Sequence, residues 1–178
     1  NLPQEITHYL EISFPPIVLP PAVEKKLYVT FPIEIGVFFE IKKEMNILDI
    51  FSLVPTKFSL YGLPSTGIIT RWYRSGIFSD IPATDLHREG VLELTLINRS
   101  AITADVSRAV FDSYGMQLFY GDRVSMTATM EIISPLIAST TFTGLPPEGC
   151  PNRSIDLYAA RKFAIGPRKS FFMESGMA

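Results

Sequence analysis

RVSMTATMEIIS, Arg123–Ser134, alternates without a break. Val124, Met126, Ala128, Met130 and Ile132 fall on one side, and Ser125, Thr127, Thr129 and Glu131 on the other. A period of two marks a β-strand with one face buried. The next segment, IASTTFTG (137–144), follows a proline break and reads as its hairpin partner. Working outward, GVLELTLIN (90–98) sets Leu92, Leu94 and Leu96 against Val91, Glu93, Thr95 and Ile97. HYLEISF (8–14) sets Leu10, Ile12 and Phe14 against Tyr9, Glu11 and Ser13. KLYVTFPIEIGVFFEI (26–41) is rich in β-branched and aromatic residues and carries no helical stripe. It and segment 46–54 are apolar on both sides, as central strands or strands covered on both faces would be.

Punctuation agrees with strands. The 14 prolines and 11 glycines leave few windows for a long helix. YGLPSTG (61–67), SYGM (113–116), YGDR (120–123) and GLPPEGCPN (144–152) read as turns, with Gly121 free to take positive φ. Only SIDLYAARKF (154–163) offers a helix, with Ser154 as its N-cap. FPPIVLPPAVEKKLYVTFPIEI and GVLELTLINRSAITADVSRAVF each read as strand, polar or proline turn, strand, in the manner of edge hairpins. Many short strands with one apolar face bury it most simply against a second sheet. The expected architecture is an all-β, mostly antiparallel sandwich of immunoglobulin-like style, with at most one short helix near 154–163. The 178 residues read as a single domain, 1–178, that lacks a native N-terminal segment.

Composition narrows the function classes. Hydrophobic residues make up 47% and charged residues 19%, enough for a core and too little charge for a disordered chain. Mean hydropathy is +0.21, yet no apolar run approaches the ~20 residues of a membrane-spanning helix. The surplus is therefore assigned to buried strands or to an interface, and a protein partner or self-association is expected. A net charge of -2 gives no global footprint for nucleic acid. The lone cysteine, Cys150, excludes an internal disulfide and favours a reducing, cytoplasmic setting. His8 and His87 stand far apart in sequence and Cys150 has no partner cysteine, so no metal site, cofactor motif or nucleophile elbow is expected, and no catalytic residue is assigned.

Three surfaces remain. Segment 71–90, RWYRSGIFSDIPATDLHREG, holds the single tryptophan and a cluster of charges. It offers Arg71, Trp72, Tyr73, Arg74, Asp85 and His87 as a ligand or partner surface, because arginine and aromatic rings combine contact area with directional hydrogen bonds. Its first strand is expected to carry cations and aromatics outward. Glu34 joins this set because it sits among apolar residues and must be paired or protonated if buried. A second surface is the basic tail, Arg153, Arg161, Lys162, Arg168 and Lys169, suited to an anion or nucleic acid. The third is an acid–base pair drawn from Glu34, Asp49 and Asp85 beside Trp72 or Tyr73, as in a carbohydrate- or small-ligand-handling enzyme. The leading expectation is a non-enzymatic binding or assembly module, with nucleic acid disfavoured.

The fragments NLPQEITHYL, YVTFPIEIGVF, ILDIFSL, KFSLYGLPSTGIITRWY, DLHREGVLELTLIN, AVFDSYGMQLFY and SIDLYAARK together resemble an archaeal domain-of-unknown-function family, number four hundred and thirty-two, over nearly the whole chain. That resemblance implies an archaeal, soluble, intracellular protein with a native N-terminus further upstream. It supplies no catalytic residue.

Overall fold

The computed structural model describes residues 6–41, 44–154 and 171–172. In chain order the strands are β1 (Tyr9–Leu19), β2 (Glu24–Pro32), β3 (Ile35–Ile41), β4 (Glu44–Phe51), β5 (Lys57–Tyr61), β6 (Ile68–Arg74), β7 (Glu89–Asn98), β8 (Ala104–Asp112), β9 (Phe119–Tyr120), β10 (Val124–Ser134), β11 (Ile137–Phe142), β12 (Asn152–Arg153) and β13 (Phe171–Phe172). Among the described residues the one helical piece is a 3-10 turn at Ser113–Gly115. Beyond Ser154, the helix expected at 154–163 lies outside the described residues.

The architecture is an all-β sandwich. One sheet runs β5-β6-β1-β8, and the other is built on β2, β7, β10 and β11 with short strands at its margins. Pairing is mostly antiparallel, with two parallel pairs, β1–β6 and β7–β10, set inside the sheets. The alternation of the sequence decides which face of each strand is buried. Leu10, Ile12 and Phe14 of β1 and Val106, Ala109 and Phe111 of β8 meet Leu27, Val29 and Phe31 of β2. Leu92, Leu94 and Leu96 of β7 and Met126, Ala128, Met130 and Ile132 of β10 complete the same cluster. Each fully buried large side chain contributes about 1.5–3 kcal/mol of transfer free energy, so this shared core holds the two layers together.

The two expected hairpins are arches instead. β1 lies in one sheet and β2 in the other, and β7 and β8 are divided in the same way. The chain crosses between layers at each turn, and the arches stack so that β1 pairs β8 while β2 pairs β7. Hairpin and arch share one sequence pattern, because each puts one face of both strands into the core. The turns bond to each other: Ala22 N–H donates to Asn98 O at 3.0 Å, and Asn98 N–H donates to Val23 O at 3.0 Å. Asn98 fastens the junction. Its Nδ2 donates to Leu19 O and Ile102 O, each at 2.8 Å. Its Oδ1 accepts from Ser100 N–H at 2.9 Å and Ser100 Oγ at 2.7 Å.

The apolar run 27–41 does not form one covered strand. Pro32 pairs with Glu89, the first residue of β7, and after one more bond, from Ile33 N–H to Arg88 O at 3.1 Å, the chain leaves that sheet. It pairs instead with segment 44–51, and β3 and β4 make a separate two-stranded ribbon. The expected hairpin of β10 and β11 is present. Gly121 does turn the chain between β9 and β10, but not through positive φ, which the described glycines adopt at positions 62, 144 and 149. A Cβ at Gly121 would stand 2.2 Å from Gly149 O, so close approach of the backbone is what requires glycine there.

Candidate functional site

The β6 strand is the place to begin. It lies parallel to β1, with Leu10 beside Arg71 and Ile12 beside Tyr73, so Arg71 and Tyr73 share the core-facing side of their sheet. The expectation that this strand carries its cations outward is corrected at Arg71, which is 9% exposed. Arg71 stands beside core residue Leu10, and Tyr73, on the same side of β6, packs against the core, so the Arg71 end of that side turns inward. Arg71 Nη1 is ion-paired with Glu34 Oε1, just beyond the end of β2. Glu34, flanked in sequence by Ile33 and Ile35, thus meets a guanidinium as its counter-charge, and both side chains are largely buried.

Beside this pair, the Tyr73 hydroxyl donates to Glu89 Oε1 at 2.6 Å and lies 3.2 Å from Thr30 Oγ1. Burial and the Glu89 carboxylate push the Tyr73 phenol from 10.0 up to about 12. The folded state therefore keeps this proton more tightly than the unfolded chain does. Its stabilising contribution is full below about pH 10 and is lost as the pH rises toward about 12. Ultraviolet titration of the phenolates is expected to show one group titrating last, and Tyr73→Phe should remove that group. Identical titration curves would refute the assignment.

The remaining expected residues lie elsewhere. Trp72 and Arg74 project from the opposite face of β6, where Lys57 Nζ sits 5.7 Å from the Trp72 ring centre. Asp85 and His87 are exposed on the loop before β7. The Asp85 carboxylate accepts from His87 N–H at 3.0 Å and stands 3.4 Å from Arg88 Nε. Of Arg71, Trp72, Tyr73, Arg74, Asp85, His87 and Glu34, only Arg71 and Glu34 are brought together as a charged pair. Asp49 lies on the ribbon opposite Val37, Glu34 stands just before the ribbon's first strand, and Asp85 is on the loop before β7. In the basic tail, Arg153 belongs to β12, while Arg161, Lys162, Arg168 and Lys169 lie outside the described residues.

A cleft of about 420 Å³ opens on the outer face of the second sheet, with Lys26, Tyr28, Glu93, Thr95 and Thr127 among its lining residues. None of the expected acid–base residues lines it, and neither does Trp72. Lys26 Nζ and Glu93 Oε1 are 2.7 Å apart, and that hydrogen bond holds the Lys26 amine above its usual range. Among the described residues, no three His, Cys, Asp or Glu side chains stand together as metal ligands would.

Sequence reading missed two features. The first is Glu11, which the alternation sets with Tyr9 and Ser13 opposite the apolar side of β1 and which is only 3% exposed. Its Oε2 accepts from Ser59 Oγ and Thr70 Oγ1, each at 2.7 Å, and Arg108 Nη1 lies 3.6 Å from Oε1. The hydroxyl donors are 48 and 59 residues away in the chain, so no local pattern announces them. The second feature is the ribbon. Among the described residues β3 and β4 pair only with each other, and Val37, Phe39, Ile41, Leu48 and Phe51 are 36–68% exposed. Val37, Phe39 and Ile41 alternate along one face of β3. Ile35, on that same face, lies opposite Phe51. The signal was present in the apolar run itself; its exposure was not.

Among the described residues no helix is long and apolar enough to cross a membrane. No curated protein and no solved structure matches the chain. A family model does match, over residues 1–174, and the chain therefore belongs to the family described as protein of unknown function (DUF432).

Proposed function

We propose that this protein is a non-enzymatic docking module and that the β3–β4 ribbon is its contact element. The carrying observation is the exposed apolar stripe Val37, Phe39 and Ile41 with Phe51, on a ribbon whose strands, among the described residues, pair only with each other. An isolated two-stranded ribbon is marginal in water, and an exposed apolar stripe with open strand edges is a template for association. A partner that covers the stripe and pairs an edge removes both defects at once. The buried free thiol of Cys150 supports a reducing, cytoplasmic setting for that partnership.

A photo-activated cross-linking residue placed at Phe39 of the intact chain, in cells that make the protein natively, tests this. The expected result is a discrete cross-linked species, lost when the probe is moved to exposed Glu24 at the start of β2. A probe at Phe39 that captures no protein would overturn the reading.

A further inference from the structure

A second unpartnered apolar surface lies on the same chain. Across β5 and β6, Leu60 pairs with Ile69 and Phe58 with Arg71, on the side of the sheet that faces the core elsewhere. On β1 and β8 that side is covered by the second sheet, but Phe58, Leu60 and Ile69 remain 43–49% exposed. The sheet thus extends past the layer that should cover it. The buried Arg71–Glu34 pair stands at the boundary, and β3 departs immediately after Glu34. Ribbon and open face therefore meet at one corner of the molecule. The ribbon does not cover its own chain's face, since the stripe and Phe58, Leu60 and Ile69 all stay exposed.

We infer that the ribbon of one chain packs on the β5–β6 face of a second copy, and that the exchange is reciprocal. This inference rests on the docking reading and names its partner. Two observations select a second copy. The first is closure: a reciprocal two-fold exchange covers both patches on both chains and needs no third surface. The second is area. At roughly 150–200 Å² per large side chain, the exposed fractions of Val37, Phe39, Ile41, Phe51, Phe58, Leu60 and Ile69 offer roughly 500 Å² of apolar surface. Two such contacts give roughly 1,000 Å² of apolar area, and interfaces are a little over half apolar. The total falls within the ~1,200–2,000 Å² of a stable, specific interface.

Sedimentation velocity over a concentration series tests the exchange with the full chain. Wild type is expected at twice the chain mass. A ribbon variant (Phe39→Ser with Ile41→Thr) and a face variant (Leu60→Thr with Ile69→Thr) are each expected at the single-chain mass. An equimolar mixture of the two should recover a dimer, weaker than wild type, because one intact ribbon then meets one intact face. A face variant that dimerises like wild type would mean ribbon–ribbon contact and would overturn the exchange. Should either variant fail to fold, the Phe39 probe in the otherwise unchanged chain decides. Cross-links to the 58–69 segment of a second copy support the exchange. A cross-linked protein of another mass, with wild type monomeric throughout, overturns it and leaves the docking reading standing. No cross-link at all overturns both.

Discussion

Replacing Asn98 by Ala is expected to destabilise the fold by about 4 kcal/mol, because the change strands buried groups that nothing else can reach. Asn98 is 0% exposed and uses both donors and both lone pairs of its amide. Leu19 O and Ser100 N–H would lose their bonds to it inside the junction of the two arches. Ile102 O retains Ser100 Oγ at 2.9 Å, which keeps the loss from being larger still. Each stranded group costs about 1–3 kcal/mol, and a cavity adds to the sum. In a chain of this size the midpoint of thermal unfolding should fall by roughly 10 °C. Asn98→Asp supplies the sharper comparison. It keeps the shape and the acceptor toward Ser100, yet turns a carboxylate oxygen toward two carbonyls, so it is expected to be no better than Ala. Urea unfolding of both variants measures the effect. A loss below about 1 kcal/mol for either one would mean that the junction is held by packing alone.

Glu34→Ala is expected to cost about 3 kcal/mol, since it leaves the Arg71 guanidinium buried without its counter-charge. The pair is not fully enclosed, with side-chain exposures of 11% and 21%, so the value sits at the lower end of what buried pairs give. Removing both charges should behave differently. Glu34→Leu combined with Arg71→Met is expected to return to within about 1 kcal/mol of wild type, because well-packed apolar groups commonly replace a buried ion pair at no loss. Arg71 Nη2 is buried without a hydrogen-bond partner among the described residues, so the double change also removes a group that is poorly served as it stands. Chemical denaturation of the two single variants and the double variant closes a cycle around the pair. A double variant as unstable as Glu34→Ala would show that Arg71 and Glu34 act through contacts other than each other. The pair would then stop being a sufficient account of how the ribbon's root is fixed.

Legibility differed from residue to residue. The inward faces of β1, β7 and β10 were readable, because a two-residue period is a property of the extended backbone and needs no partner to be seen. Glu34 was readable as a carboxylate that required a counter-charge. Its partner, Arg71, was read as an outward cation, since nothing local to β6 says which of its sides lies beside Leu10 and meets Glu34. Trp72, Arg74, Asp85 and His87 shared a stretch of sequence and so suggested a common surface. The strand's alternation puts Arg71 and Tyr73 on one face and Trp72 and Arg74 on the other, and Asp85 and His87 stand on the loop that follows. The ribbon ran the other way: segments 27–41 and 46–54 read as central strands or strands covered on both faces, and β3 and β4 carry some of the chain's most exposed apolar side chains.

The sequence by itself determined that this chain folds into strands, which side of β1, β7 and β10 faces the core, and where most turns fall. These follow from alternation, from proline's missing donor and from glycine's missing Cβ, all of which act within a few residues. The tertiary structure alone decided that two apparent hairpins are arches, that Glu11 is enclosed, and that an apolar ribbon stands clear of the sandwich. Those outcomes depend on partners far apart in the chain, such as Asn98 and Leu19 at 79 residues' separation. The free energy of burying or pairing a group is set by what surrounds it in space, and alternation along a strand carries no record of that.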